Sequence, residues 1–128
     1  MNVVSIGVDI CEIKRLQNII SKHQNRFLTK VFTATEIAYC NKKIDKFASF
    51  AARFAAKEAL LKALGTGLRM GLNWKDIEVN NDTLGKPYLR FYGKTHEIIA
   101  DRKVLLSISH TYQNAIAFVI IEGKPFVF

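Results

Sequence analysis

Lys46-Phe47-Ala48-Ser49-Phe50-Ala51-Ala52-Arg53-Phe54-Ala55-Ala56-Lys57-Glu58-Ala59-Leu60-Leu61-Lys62-Ala63-Leu64 is the stretch from which the architecture of this chain is read. Asp45 stands where a helix N-cap belongs, and Gly65-Thr66-Gly67 stops the run. At about 100° per residue, Phe47, Phe50, Ala51, Phe54 and Leu61 fall on one stripe, with Glu58 near its middle and Lys62 beside it. The opposite face, Ala52, Ala56, Ala59 and Ala63, is small and apolar, so the spacing predicts a helix enclosed on most sides. A carboxylate on such a helix is costly unless something pairs with it. The bland reading is that Glu58 and Lys62, an i,i+4 pair, satisfy each other.

On the N-terminal side, Val3 to Asp9 alternates, with Val4, Ile6 and Val8 on one face and Ser5, Gly7 and Asp9 on the other, as in a half-buried strand. Glu12 to Lys22 then reads as a helix with Ile13, Leu16 and Ile20 on its apolar stripe. Thr33-Ala34-Thr35-Glu36 is a capping box that opens a short helix from Ala34 to Lys43. Beyond the long helix the period changes. Asp76–Asn80 and Pro87–Tyr92 read as strands joined by a turn around Asn81 to Gly85, and Gly93–Arg102 reads as a helix. Val104–Thr111 and Asn114–Glu122 form a closing hairpin about Tyr112-Gln113. Nothing divides the 128 residues, so the expectation is one α+β domain over 1–128, its helices packed on an antiparallel sheet.

Composition narrows the function classes. Hydrophobic residues make up 49 % of the chain, which argues for a folded globule over a basic tail. The longest apolar run, Ala115 to Ile121, has the length of a buried strand and not of a membrane span. The N-terminus enters a strand pattern at once, without a signal peptide, and Cys11 and Cys40 match no zinc or redox spacing. Two reduced thiols in the cytoplasm are expected. The net charge of +8 predicts an anionic partner: nucleic acid, a membrane surface, a phosphate-rich small molecule or an acidic protein.

Several features turn the long helix from structure toward chemistry. Arg53 and Lys57 are also i,i+4, and like charges there repel unless an anion lies close by. Backbone N–H groups of a turn such as Gly65-Thr66-Gly67 can approach a phosphate, although a helix C-terminus does not itself attract one. Asp9 ends the first strand on the face that Gly7 clears. Facing Glu58, it makes a hard-cation site suited to magnesium, unless it only caps the next helix. Ser109, His110 and Thr111 put three hydrogen-bonding side chains at one sheet edge, which suits a phosphate or nucleotide.

Three segments, Ile6-Gly7-Val8-Asp9-Ile10, Arg53 to Ala63 with its Lys57-Glu58-Ala59 core, and Ser107-Ile108-Ser109-His110-Thr111, stand in an order and spacing that resemble the signature motifs of the holo-acyl-carrier-protein synthases, the short 4′-phosphopantetheinyl transferases. Gly85-Lys86-Pro87 is similar to a turn of the same family. The resemblance covers the chain nearly end to end. It implies transfer of 4′-phosphopantetheine from coenzyme A to a serine of an acyl carrier protein, releasing adenosine 3′,5′-bisphosphate and supporting fatty acid biosynthesis. It implies a homotrimer with active sites at subunit boundaries. Asp9 and Glu58 would bind magnesium, with Lys62 stabilising charge on the phosphates and leaving group. Arg53, Lys62, Gly65, Thr66, Gly67, Pro87, Ser109 and His110 would contact coenzyme A, and Lys14, Arg15, Lys22 and Arg26 would dock the acidic carrier protein. The serine needs a base, and Glu58 and a metal-bound water both qualify.

Two other classes fit parts of the sequence. A nucleic-acid module would use the charge and aromatics such as Tyr88, Phe91 and Tyr92. Those aromatics alternate with Leu89 and Arg90 as in an ordinary strand, and Asp9 and Glu58 would repel a phosphate backbone. An inactive coenzyme A scaffold would need a broken motif, and every motif position is filled.

Overall fold

The computed structural model describes residues 2–128. In chain order it runs β1 (Val3–Glu12), α1 (Ile13–His23), α2 (Asn25–Val31), α3 (Ala34–Asn41), α4 (Lys46–Leu64), a 3-10 turn at Trp74–Asp76, β2 (Ile77–Asn81), β3 (Pro87–Phe91), α5 (Gly93–Ile99), β4 (Lys103–His110) and β5 (Asn114–Glu122). The α+β class is as expected, with one correction to the sheet. The strands form two antiparallel sheets, β1-β5-β4 and a separate β2-β3 hairpin.

The expected caps are present because they depend only on neighbours in sequence. Asp45 accepts from the Ala48 amide at 3.2 Å, and Thr33 and Glu36 close a reciprocal capping box. The hairpin turn at Tyr112-Gln113 is fastened by the Thr111 amide donating to the Asn114 carbonyl at 2.8 Å. By contrast, α2 was not expected. The chain enters it through Gln24 at φ 47 with no side-chain cap, so no local signal announces it. The fifth helix stops at Ile99, not Arg102, because Ala100 takes φ 53 and turns the backbone out of the helix.

The close contact that organises the molecule is β1 against α4. A Cβ at Gly7 would collide with the Ala59 carbonyl oxygen and lie 2.8 Å from the Ala63 nitrogen, so only glycine lets strand and helix meet there. Ser5 donates to the Ala63 carbonyl beside it. β1 also continues to Glu12, so Asp9 lies within the strand, paired with Ala117, and does not cap a helix. From Ile6 to Ile10 the alternation is as read, but the apolar row faces outward; Val4, at the register shift before Ser5, packs on the core instead of sharing that face. Ile6, Val8 and Ile10 are 59 %, 48 % and 64 % exposed. Their register partners Phe118 and Ile116 are exposed with them, and Leu105 extends the patch onto β4.

The core lies on the other side of that sheet. Ala55, Ala56, Ala59 and Leu60 of α4 pack with Ala117, Val119 and Ile121 of β5 and with Ile77 and Val79 of β2. A second cluster joins Leu16 and Ile20 of α1 to Phe32, Cys40, Phe50 and Ala51. Buried among these groups is a complete ion pair, Lys57 Nζ to Glu36 Oε1 at 2.7 Å.

Candidate active site

Where β1 crosses α4, Asp9, Glu58 and Lys62 line one cleft of about 380 Å³, together with Cys11, Arg15 and Phe54. The helical spacing paired Lys62 with Glu58, and the structure corrects this. Lys62 Nζ donates to Asp9 Oδ1 at 2.9 Å, across to the strand that Gly7 brings close. Glu58 is left without a salt bridge among the described residues. Its carboxyl is held above the ordinary range by burial and by the charge of Asp9, which Lys62 only partly offsets. The hydrogen bond to Asp9 and its charge raise the Lys62 ammonium as well, keeping it protonated.

Among the described residues no group of three or more His, Cys, Asp and Glu side chains could hold a metal. What the cleft offers is a carboxylate pair. Burial and the neighbouring Asp9 raise the Cys11 thiol to about 11, so it stays neutral and supplies no thiolate. An oxygen-only donor set whose two charges repel each other fits a hard divalent cation that completes its shell with water and phosphate oxygens. About one turn beyond Lys62, Gly65 closes α4 at φ 77 and Gly67 turns the chain again at φ 58, so Gly65-Thr66-Gly67 directly follows the helix end.

The Arg53–Lys57 repulsion that pointed to a bound anion is relieved inside the fold. Lys57 is fully buried and has Glu36 as its anion. Arg53 lies over the Tyr39 ring, 4.0 Å from its centroid, and donates to Asn81 Oδ1 at 2.7 Å, although its Nε is buried without a partner among the described residues. Arg53 lines a second cavity, of about 550 Å³, with Lys42, Lys43 and His110 at the N-terminal end of α4. Ser109 is exposed beside His110 at the end of β4. Pro87 sits opposite Asn81 in the β2-β3 register, and so neighbours the side chain that holds Arg53. Within one chain the sequence candidates thus fall into two groups. Asp9, Glu58, Lys62 and the Gly65–Gly67 turn flank the C-terminal half of α4; Arg53, Pro87, Ser109 and His110 cluster toward its N-terminal half.

On α1, Arg15 borders the Asp9 cleft and shares an adjoining groove with Asn18, Ile19 and Lys22. Lys14 faces elsewhere, into a cavity with Tyr112 and Gln113, and Arg26 is exposed on α2. Arg69, Asn81, Lys42 and Lys43 were not singled out from sequence. The basic pair Lys42-Lys43 was legible as charge next to a helix start, whereas Asn81 and Arg69 act through contacts that only the fold creates.

The model of the 4′-phosphopantetheinyl transferase superfamily matches residues 5–118, from β1 into β5, and so includes Asp9, Glu58, Lys62 and His110. The chain belongs to this superfamily. Among its relatives, the holo-[acyl-carrier-protein] synthase of Syntrophus aciditrophicus is 48 % identical over 120 residues, covering 91 % of this chain and 94 % of the relative. That of Koribacter versatilis is 43 % identical, covering 94 % and 98 %. Among solved structures, the holo-(acyl-carrier-protein) synthase of Bacillus anthracis in complex with CoA (3′,5′-ADP) superposes with a TM-score of 0.79 at 36 % identity, covering 95 % of this chain and 98 % of that one. The Helicobacter pylori enzyme in complex with coenzyme A gives 0.81 at 30 % identity, covering 91 % and 99 %. The phosphopantetheinyl transferase fold is therefore the frame in which the cleft is to be read.

Proposed function

We propose that this transferase moves the 4′-phosphopantetheine moiety of coenzyme A onto a serine of an apo acyl carrier protein, and that the Asp9–Glu58–Lys62 cleft carries the step. The serine oxygen attacks the β-phosphorus of coenzyme A. The bond from that phosphorus to the bridging oxygen breaks, and adenosine 3′,5′-bisphosphate leaves with the electron pair. Such a reaction needs little covalent work from the protein; it needs positioning, a proton acceptor and neutralisation of growing negative charge.

The observation that carries the reading is the division of labour between the two carboxylates. Asp9 is met by Lys62, while Glu58 has no salt bridge among the described residues, which leaves the pair open to a divalent cation. Glu58, or a water on the metal, would take the serine proton. Magnesium held between Asp9 and Glu58 would supply charge neutralisation at the diphosphate. Lys62, with a side chain 56 % exposed and a single ionic bond, is free to swing from Asp9 to phosphate when substrate enters.

The same reading assigns the exposed row of Ile6, Val8, Ile10, Ile116 and Phe118 to contacts between subunits of a homotrimer. A neighbouring subunit would then bring Ser109 and His110 to a site that one chain leaves in two parts. Arg15, which borders the cleft, and Lys22, in the adjoining groove on α1, suit an acidic carrier protein. No described helix is long and apolar enough to cross a membrane, and Cys11 and Cys40 are free thiols; both accord with work in the cytoplasm.

The test is direct. Incubation with apo acyl carrier protein, coenzyme A and magnesium should add the mass of one phosphopantetheine to the carrier. An unchanged mass, with a known transferase succeeding in parallel, would refute the function.

A further inference from the structure

The Gly65-Thr66-Gly67 turn raises a physical difficulty. It follows the C-terminus of α4, where the last carbonyls carry partial negative charge and repel a phosphate. The structure contains a remedy in Arg69. Its Nε donates to the Thr66 carbonyl at 2.9 Å and its Nη2 to the Gly65 carbonyl at 3.4 Å. The Arg69 amide also donates to the Thr66 carbonyl at 3.4 Å, and Thr66 Oγ1 occupies the Gly67 carbonyl at 2.9 Å. Three successive carbonyls are thus engaged within the turn.

Every peptide here is trans, so in each plane the N–H points opposite to the C=O. Fixing the Gly65 carbonyl aims the Thr66 N–H the other way, and fixing the Thr66 carbonyl does the same for Gly67. Among the described residues neither amide hydrogen has an acceptor. We propose that Arg69 is a positioning residue: its guanidinium pins the Gly65 and Thr66 carbonyls, cancels their negative charge, and holds the Thr66 and Gly67 amide hydrogens toward the phosphates of coenzyme A. The inference rests on the coenzyme A reading above. It adds a residue outside the family-like segments, and a reason why a turn at a helix C-terminus can accept an anion.

The planar fork is what matters, because it reaches two carbonyls at once. A lysine would bring the charge without the fork. Arg69→Ala and Arg69→Lys should therefore both weaken coenzyme A binding, measured by calorimetry, by about tenfold, the loss of one charge-assisted hydrogen bond. The Thr66 and Gly67 amide resonances of the free protein should shift in both variants. Arg69 is exposed, so both should melt near the wild-type temperature. Wild-type affinity in Arg69→Lys with a loss in Arg69→Ala would mean that charge alone acts on the phosphate, and would overturn the proposal. So would unmoved Thr66 and Gly67 resonances, or wild-type affinity in both variants. If the wild type itself bound no coenzyme A, the function reading would fall and take this one with it; wild-type binding with unaffected variants sinks the Arg69 proposal alone.

Discussion

Lys57 and Lys62 stand little more than one turn apart on α4 and have opposite surroundings. Lys57 is fully buried, and its three protons all have acceptors: the Val31 carbonyl and Glu36 Oε1, each at 2.7 Å, and the Trp74 carbonyl at 3.1 Å. Glu36 is as fully used, receiving Lys57 and the Thr33 amide on one oxygen and the Val79 amide on the other. Lys62 has one bond, to Asp9, and more than half of its side chain in solvent. The first lysine ties the end of α2, α3 and the 3-10 turn at Trp74 to α4 and has no capacity left for a ligand. The second keeps most of its hydrogen-bonding capacity free. A saturated cation serves the fold, and an unsaturated one at a cleft can serve a substrate.

The largest expected effect breaks the buried side of that contrast. Lys57→Met should lower unfolding stability by about 3–5 kcal/mol in urea titration, because it leaves the Glu36 carboxylate buried and unpaired. Adding Glu36→Leu should recover much of the loss, since a buried ion pair is replaced by apolar packing. If Lys57→Met alone is nearly neutral, the pair is not the keystone described here.

Second in size is the exposed side. Lys62→Met should change stability by less than about 1 kcal/mol, as for other solvent-exposed ion pairs. It should nevertheless reduce kcat by about 100- to 1000-fold, the usual cost of removing one preorganised charge donor from a transition state. A Lys62 variant that unfolds but keeps its specific activity would reverse the roles of the two lysines.

The sequence could not have told these lysines apart, and the reason is instructive. Each has an i,i+4 partner on α4, Arg53 for Lys57 and Glu58 for Lys62, and local spacing suggested that those neighbours mattered. Both lysines bond instead to groups distant in sequence, Glu36 and Asp9. What was legible was either local or patterned: the Thr33 and Asp45 caps, the length of α4, the hairpin at Tyr112-Gln113, and the alternation of β1. The juxtaposition of Asp9 with Glu58 was also legible, because Gly7 marked where strand and helix could touch. The outward face of Ile6, Val8 and Ile10 was not, since alternation shows that two faces differ without saying which one meets the helix. Nor was α2, which lacks a cap, or Arg69, whose acceptors are backbone carbonyls that carry no residue type.

The smallest expected effect sharpens the comparison at Glu58 itself. Its carboxyl is harder to ionise in the fold than in the unfolded chain, through burial and through Asp9. The native state then binds more protons than the unfolded state across the interval between the two pKa values, so this group's contribution to stability falls as pH rises from the ordinary carboxylate value, about 4.3, through Glu58's raised one. Glu78 works in the opposite sense: burial pushes its carboxyl up, but hydrogen bonds from Thr33, Asn80 and Tyr92 outweigh this and lower it, so its contribution is lost as pH falls. The difference between wild type and Glu58→Gln isolates the first effect, because Glu78 is common to both. In metal-free buffer the Gln variant should gain stability relative to wild type as pH rises from about 4 toward neutrality, and the gap should then level off. Lys62 now lowers the Glu58 pKa, so in a Lys62→Met background the same gap should extend to higher pH. Parallel curves for wild type and Glu58→Gln would mean that Glu58 ionises as easily in the fold as in water, and the uncompensated carboxylate at the centre of the cleft would lose its physical basis.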